Sequence, residues 1–263
     1  MRPYFSIFLC RCRALLLYRT AAAAAFGTRI FWGLIHIMVL QAFYRSSTQA
    51  PPMTMPQMVS YVWLGQAMLA LVLWRVDADV ADMVRTGGLA CELIRPIDVY
   101  WMWYSRTAAV RVMPTVMQAA PIVLLTWLGR GLQGPPSMAA ALSWGALTLV
   151  AVLLATAIST GVTVSMLYTV SPAGGVMLAS TLTYALSGML LPLPLFPAAV
   201  TRVLHWLPFS GLIDLPFQAW LGMLGPGEAL GWLAFEGLWT VALIVAGRAL
   251  LHRGLHRAVI LGG

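Results

Sequence analysis

Residues 74–111 read WRVDADVADMVRTGGLACELIRPIDVYWMWYSRTAAVR. This stretch holds five of the eight acids of the chain (Asp77, Asp79, Asp82, Glu92, Asp98) and five of its sixteen basic residues (Arg75, Arg85, Arg95, Arg106, Arg111). Almost everything around it is apolar. The island lies between two segments long enough to cross a bilayer, so it is a charged, structured connection at a membrane surface.

Composition fixes the class. The 263 residues are 60% hydrophobic and 9% charged, whereas soluble domains carry about 25% charged residues. The mean hydropathy is +0.84. A membrane crossing takes about 20 apolar residues in helical form, because lipid offers no partner to an open backbone amide. Six such spans are expected, at 21–43, 57–74, 107–128, 138–168, 175–191 and 229–251. They use nearly the whole chain. The expected fold is an all-α integral membrane protein with a single transmembrane domain over 1–263.

Arginine placement sets the topology. There is no lysine. With a cytoplasmic N-terminus, thirteen of the sixteen arginines fall on the cytoplasmic side or edge, leaving Arg45, Arg130 and Arg202 outside. This follows the rule that cytoplasmic loops collect positive charge. Both termini and the 75–106 island then face the cytoplasm. The net charge of +8 is explained by this bias, with no nucleic-acid-binding module. Residues 1–20 carry Arg11, Arg13 and Arg19 inside an apolar run. They are read as a retained interfacial helix with Phe5, Phe8, Leu9, Cys12, Leu15 and Leu16 at helical spacing.

Several chemistries have no signature here. A P-loop requires lysine and is absent. There is no H-E-x-x-H, G-x-S-x-G or C-x-x-C. Catalytic and metal-ligating residues are therefore not assigned, and no cofactor is expected on this chain. Glu236 stands inside the last expected span, where ionisable residues are functional candidates. Thr156, Ser159, Thr160 and Thr163 read as helix-packing groups. Arg29 and Arg111, near span ends, are placed to snorkel to the interface.

The island reads as an elbow. Val76, Val80, Met83 and Gly87 repeat at helical spacing. Gly87-Gly88 ends that helix, 89–95 forms a second short one, and Pro96 stops it. Tyr100, Trp101, Trp103 and Tyr104 form an interfacial aromatic belt. On the other side, residues 188–228 read GMLLPLPLFPAAVTRVLHWLPFSGLIDLPFQAWLGMLGPGE. Proline at this density breaks helices. Broken apolar helices persist at membrane depth only when buried in protein or lining a cavity. A re-entrant hairpin satisfies both, turning near Pro208-Phe209 and Ser210-Gly211.

Three patterns carry a resemblance to the permeases of ABC-2-type exporters, in the branch with six spans. The first is G-x-L-x-x-x-L-x-R-P, from Gly87 and Leu89 through Leu93 to Arg95-Pro96. The second runs Ser187-Gly188, Pro192, Phe196-Pro197, Leu207-Pro208-Phe209, Pro216 and Leu221-Gly222. The third is Gly254-Leu255, Arg257 and Gly262-Gly263. The resemblance implies half of a pore, in a bacterial inner membrane. It pairs with a second copy or a paralogous permease and with two cytosolic P-loop ATPases, which hold the ATP and magnesium. It implies that Arg85, Gly88, Leu89, Glu92, Leu93, Ile94, Arg95 and Pro96 form the coupling element. It implies that Gly188, Pro192, Phe196, Pro197, Pro208, Phe209, Gly211 and Pro216 belong to the outer gate. The competing class is an ion-gradient-driven carrier or channel using Glu236.

Overall fold

The computed structural model describes residues 2–17, 19–46, 51–72, 96–129, 131–168 and 172–261, with single positions 80, 83, 92 and 94. Among them are nine α-helices and no strand. The helices are α1 (Arg2–Leu15), α2 (Arg19–Ser46), α3 (Met55–Met68), α4 (Val99–Leu128) and α5 (Met138–Ser165), followed by α6 (Pro172–Leu186), α7 (Ala198–His205), α8 (Asp214–Trp220) and α9 (Pro226–Leu261). Most of the expected coupling element, Arg85, Gly88, Leu89, Leu93 and Arg95, lies outside the described residues.

Among the described residues, four helices are long and apolar enough to cross a membrane: Ala23–Ser46, Val99–Leu128, Met138–Ser165 and Pro226–Leu255. They match the first, third, fourth and sixth expected spans. The other two are shorter than expected. α3 has 14 residues and continues as a 3₁₀ turn over Leu69–Leu71, and α6 has 15. At their usual rises, α3 with its turn covers about 27 Å and α6 about 22 Å.

α3 begins with a reciprocal cap. Thr54 accepts from the Gln57 amide while the Gln57 side chain accepts from the Thr54 amide, and Pro56 occupies the first turn. Two buried arginines serve its other end. Arg29 on α2 donates to the Gln66 carbonyl, and Arg111 on α4 donates to the Ala70 carbonyl at 2.9 Å. They are 7% and 2% exposed. Snorkelling was the expectation for both; instead they fill the role of C-terminal cap, since the last carbonyls of a helix have no partner within it. A cation there also complements the helix dipole.

α5 is the central element, packed against α9, α4 and α8. Four of its hydroxyls are buried, and each donates to the carbonyl four residues earlier: Thr156 to Val152, Ser159 to Ala155, Thr160 to Thr156 and Thr163 to Ser159. Their polarity is spent on their own helix. The surface left is small and suited to close packing. The aromatic belt is incorporated into α4, where Tyr100 and Trp103 are among the largest fully buried side chains. α1 packs on α4. Its apolar stripe divides, with Cys12 buried and Phe5 and Leu9 exposed.

Candidate functional site: the elbow and the proline-rich hairpin

Of the expected elbow residues, Glu92, Ile94 and Pro96 are described, and they face different ways. Glu92 is 4% exposed. Its Oε2 accepts from the Trp103 indole N–H at 3.0 Å, and its Oε1 lies 3.7 Å from the Arg106 guanidinium. Both partners sit on the first turns of α4. Val80 is buried beside Val99, Tyr100 and Trp103, with Met83 packed against the same cluster. Ile94, by contrast, is 83% exposed. The elbow is therefore fastened to α4 through one carboxylate and presents an apolar side chain outward. Pro96, at the surface, precedes the turn that leads to Asp98. Asp98 caps α4 by accepting from the Trp101 amide at 3.1 Å.

The hairpin is broken where the prolines require. Pro192 and Pro194 accompany a 3₁₀ turn over Leu193–Leu195, and Pro197 is the N-cap of α7. Trp206 to Phe209 form the bend, and a 3₁₀ turn over Ser210–Leu212 leads into α8. Gly188, Pro192, Pro208, Gly211 and Pro216 are buried, Phe196 and Phe209 are half-buried, and Pro197 is exposed. The expected gate residues thus come together mostly as one packed unit.

At its centre is Asp214, with a fully buried carboxylate. Oδ1 accepts from the Tyr61 hydroxyl of α3 at 2.8 Å and from the Leu193 amide at 3.3 Å. Oδ2 accepts from the Gln218 side-chain amide and lies 3.1 Å from His205 Nε2. The His205 ring packs edge-on against Trp232 of α9, with centroids 5.3 Å apart. One carboxylate thereby ties together both arms of the hairpin, the second expected span and, through His205, the last. A buried carboxylate is tolerated when donors satisfy it in this way.

Two glycines permit the fit. Gly188 has φ +86°, and a Cβ there would stand 2.5 Å from the Tyr61 hydroxyl. At Gly211 a Cβ would stand 2.1 Å from the Glu236 carboxyl carbon. Glu236, 1% exposed, thus packs its carboxyl against the hairpin backbone. Sequence reasoning singled out Glu236 but missed Asp214, Tyr61 and the pairing role of His205. The one available signal was a lone acid, Asp214, in an otherwise apolar, proline-rich stretch.

Beside this unit, α2, α3, α6 and the start of the hairpin border a half-open cavity of about 1020 Å³. Among the described residues, no group of His, Cys, Asp or Glu is arranged to hold a metal ion. A family model described as "ABC-2 family transporter protein" matches residues 30–262. No curated protein and no solved structure matches the chain.

Proposed function

Because the chain belongs to the ABC-2 family of transporter membrane proteins, we propose that it is the permease subunit of an ATP-driven exporter, forming half of a pore worked by a separate cytosolic ATPase. Six crossings are proposed, with α3 and α6 as the short second and fifth. Both termini lie in the cytoplasm and α1 rests in the interface. The proline-rich segment is a re-entrant hairpin at the outer surface of a bacterial inner membrane. A second copy or a paralogue completes the pore, and two ATPase subunits hold ATP and magnesium.

The observation that carries the reading is the seating of the elbow. Ile94, 83% exposed, offers an apolar contact to a soluble partner. Glu92, held by Trp103 and Arg106, fastens the same segment to α4. A push delivered at Ile94 is passed to a 30-residue helix. Arg85, Gly88, Leu89, Leu93, Arg95 and Pro96 complete the coupling element. ATP-driven closure of the ATPase pair moves the permeases as largely rigid units. The hairpin, with Gly188, Pro192, Phe196, Pro197, Pro208, Phe209, Gly211 and Pro216, is the gate that parts. Because Asp214 ties that hairpin to α3 and α9, movement of either helix reaches the gate.

The test is purification of the tagged chain in mild detergent. A stoichiometric P-loop ATPase is expected to co-purify, and Ile94→Asp is expected to lower its recovery about tenfold. A solitary protein that catalyses proton-dependent flux would overturn the reading in favour of a gradient-driven carrier.

A further inference from the structure

The 1020 Å³ cavity carries a charge, that of Arg29, with no ion pair among the described residues. Arg29 lines it while remaining 7% exposed. One of its N–H groups is donated to the Gln66 carbonyl, a neutral acceptor. No carboxylate lines the cavity, and no ion pair to Arg29 occurs among the described residues. A guanidinium carries five donors and a permanent charge. Burying such a cation with no counter-charge is costly, and an intramembrane cation facing a cavity marks a ligand path.

The rest of the lining is mostly apolar and elongated; the other polar side chains along it are Thr28, His36, Tyr44, Gln66 and Tyr184, and His36 Nε2 lies 3.0 Å from the Leu190 carbonyl. Trp32, Ile35, Val39 and Phe43 follow Arg29 along α2, and Leu191 and Phe196 close the far end from the hairpin. Thr28 and Tyr44, which bracket the cavity on α2, are sixteen residues apart, about 24 Å at the helical rise. That exceeds the hydrocarbon depth of one leaflet, about 15 Å. The cavity is thus a long greasy trough with a cation at one end.

We propose that this trough binds the transported molecule, an amphiphile whose anionic headgroup is held by Arg29 and whose apolar tail lies along α2 toward Phe196. This rests on the permease reading above. An anion supplies the missing counter-charge and accepts the free guanidinium donors. A neutral headgroup leaves the charge unbalanced. A glycan would set unpaired hydroxyls against Trp32, Val39 and Phe43, and a cation would be repelled.

The test uses the full chain in phosphatidylcholine nanodiscs. The probes are dibromooctadecyl sulfate, dibromooctadecanol and a dibromooctadecyl trimethylammonium salt, read by bromine quenching of tryptophan fluorescence. The signal assigned to the trough is the part lost in Trp32→Phe. The sulfate is expected to bind at least about tenfold more tightly than the other two. Arg29→Gln should reduce that preference to under about twofold, and Arg29→Lys should keep most of it. Equal binding of the three probes by the unaltered chain, which needs no variant at position 29, overturns the proposal. So does a preference that survives Arg29→Gln. Nanodiscs of phosphatidylglycerol separate cargo from bulk lipid: sulfate quenching abolished there assigns the trough to membrane lipid and overturns the transport role. Co-purification of the ATPase is scored on the same preparation. An ATPase present without anion preference sinks the trough alone. Anion preference without an ATPase sinks the permease reading, and the transport role with it.

Discussion

Tyr61 donates its hydroxyl hydrogen to Asp214 Oδ1 across 2.8 Å, joining residues 153 positions apart in the chain. The bond is fully buried, and Gly188 is shaped to admit it. It fastens α3 to the proline-rich hairpin. Truncating Asp214→Ala strands the Tyr61 hydroxyl, the Leu193 amide and the Gln218 amide together, whereas Tyr61→Phe removes one donor from a carboxylate that keeps the others. Costs of about 3 kcal/mol or more and about 1.5 kcal/mol follow. Thermal denaturation followed by size-exclusion chromatography should rank the melting temperatures as unaltered chain, then Tyr61→Phe, then Asp214→Ala. The double variant should melt close to Asp214→Ala, because the second truncation removes a bond already lost. Additive losses would show that the two residues act separately.

The glycine fits make a sharper case. Gly211→Ala places a methyl 2.1 Å from the Glu236 carboxyl carbon, while at Gly161, about one turn before the C-terminal end of α5, nothing lies within 4 Å of an added Cβ. Gly161→Ala is expected to be neutral or to stabilise by up to about 1 kcal/mol, the helix propensity difference. Gly211→Ala is expected to lower the yield of monodisperse protein and its melting temperature. Glu236→Ala clears the space, so the pair Gly211→Ala with Glu236→Ala should recover part of the loss. If Gly211→Ala alone behaves like Gly161→Ala, the packing of Glu236 on the hairpin is wrong.

The architecture was legible where the signal is repetitive. Long apolar runs gave the helices Ala23–Ser46, Val99–Leu128, Met138–Ser165 and Pro226–Leu255, and proline spacing gave the break-up of 188–228. Interactions between distant residues were not legible. The short α3 depends on Arg29 and Arg111 arriving from α2 and α4 to satisfy its last carbonyls, which hydropathy along the chain does not register. Asp214 looked like a stray acid because its four partners come from positions 61, 193, 205 and 218. Glu92 was placed in the coupling element, but its inward pairing with Trp103 and Arg106 depends on residues of the next helix and was not legible. The aromatic belt was recognised from composition, but its helical spacing also places Tyr100 and Trp103 in the core.

The two thiols of α1 report which side of that helix is packed. Cys10 is exposed and Cys12 buried. Burial also pushes the Cys12 thiol above its ordinary pKa, so at a given pH less of it is thiolate, the reactive form. In single-cysteine variants at pH 8, a maleimide should label Cys10 several-fold faster than Cys12. Raising the pH should accelerate Cys12 over a range above that of an ordinary cysteine thiol, since the sign of the shift delays its deprotonation. Equal rates would mean that α1 does not hold its Cys12 face against the protein.

Asp98 has two roles whose magnitudes separate. It caps α4, and Oδ2 pairs with Arg248 of α9 at 2.9 Å. The pair is well exposed, with side chains 36% and 50% accessible, and such pairs contribute about 0–1 kcal/mol. Loss of an N-cap typically costs about 1 kcal/mol. The Asp98 amide also donates to the Tyr4 hydroxyl at 3.1 Å, a main-chain contact that substitution leaves in place. Asp98→Ala should therefore destabilise by about 1–2 kcal/mol. Asp98→Asn keeps a capping oxygen and should resemble Arg248→Ala, each within about 1 kcal/mol of the unaltered chain. Melting temperatures in 50 mM and 500 mM salt check the division, because added salt screens the ion pair and leaves the cap. If Arg248→Ala costs as much as Asp98→Ala at low salt, the ion pair rather than the cap holds this corner of α4.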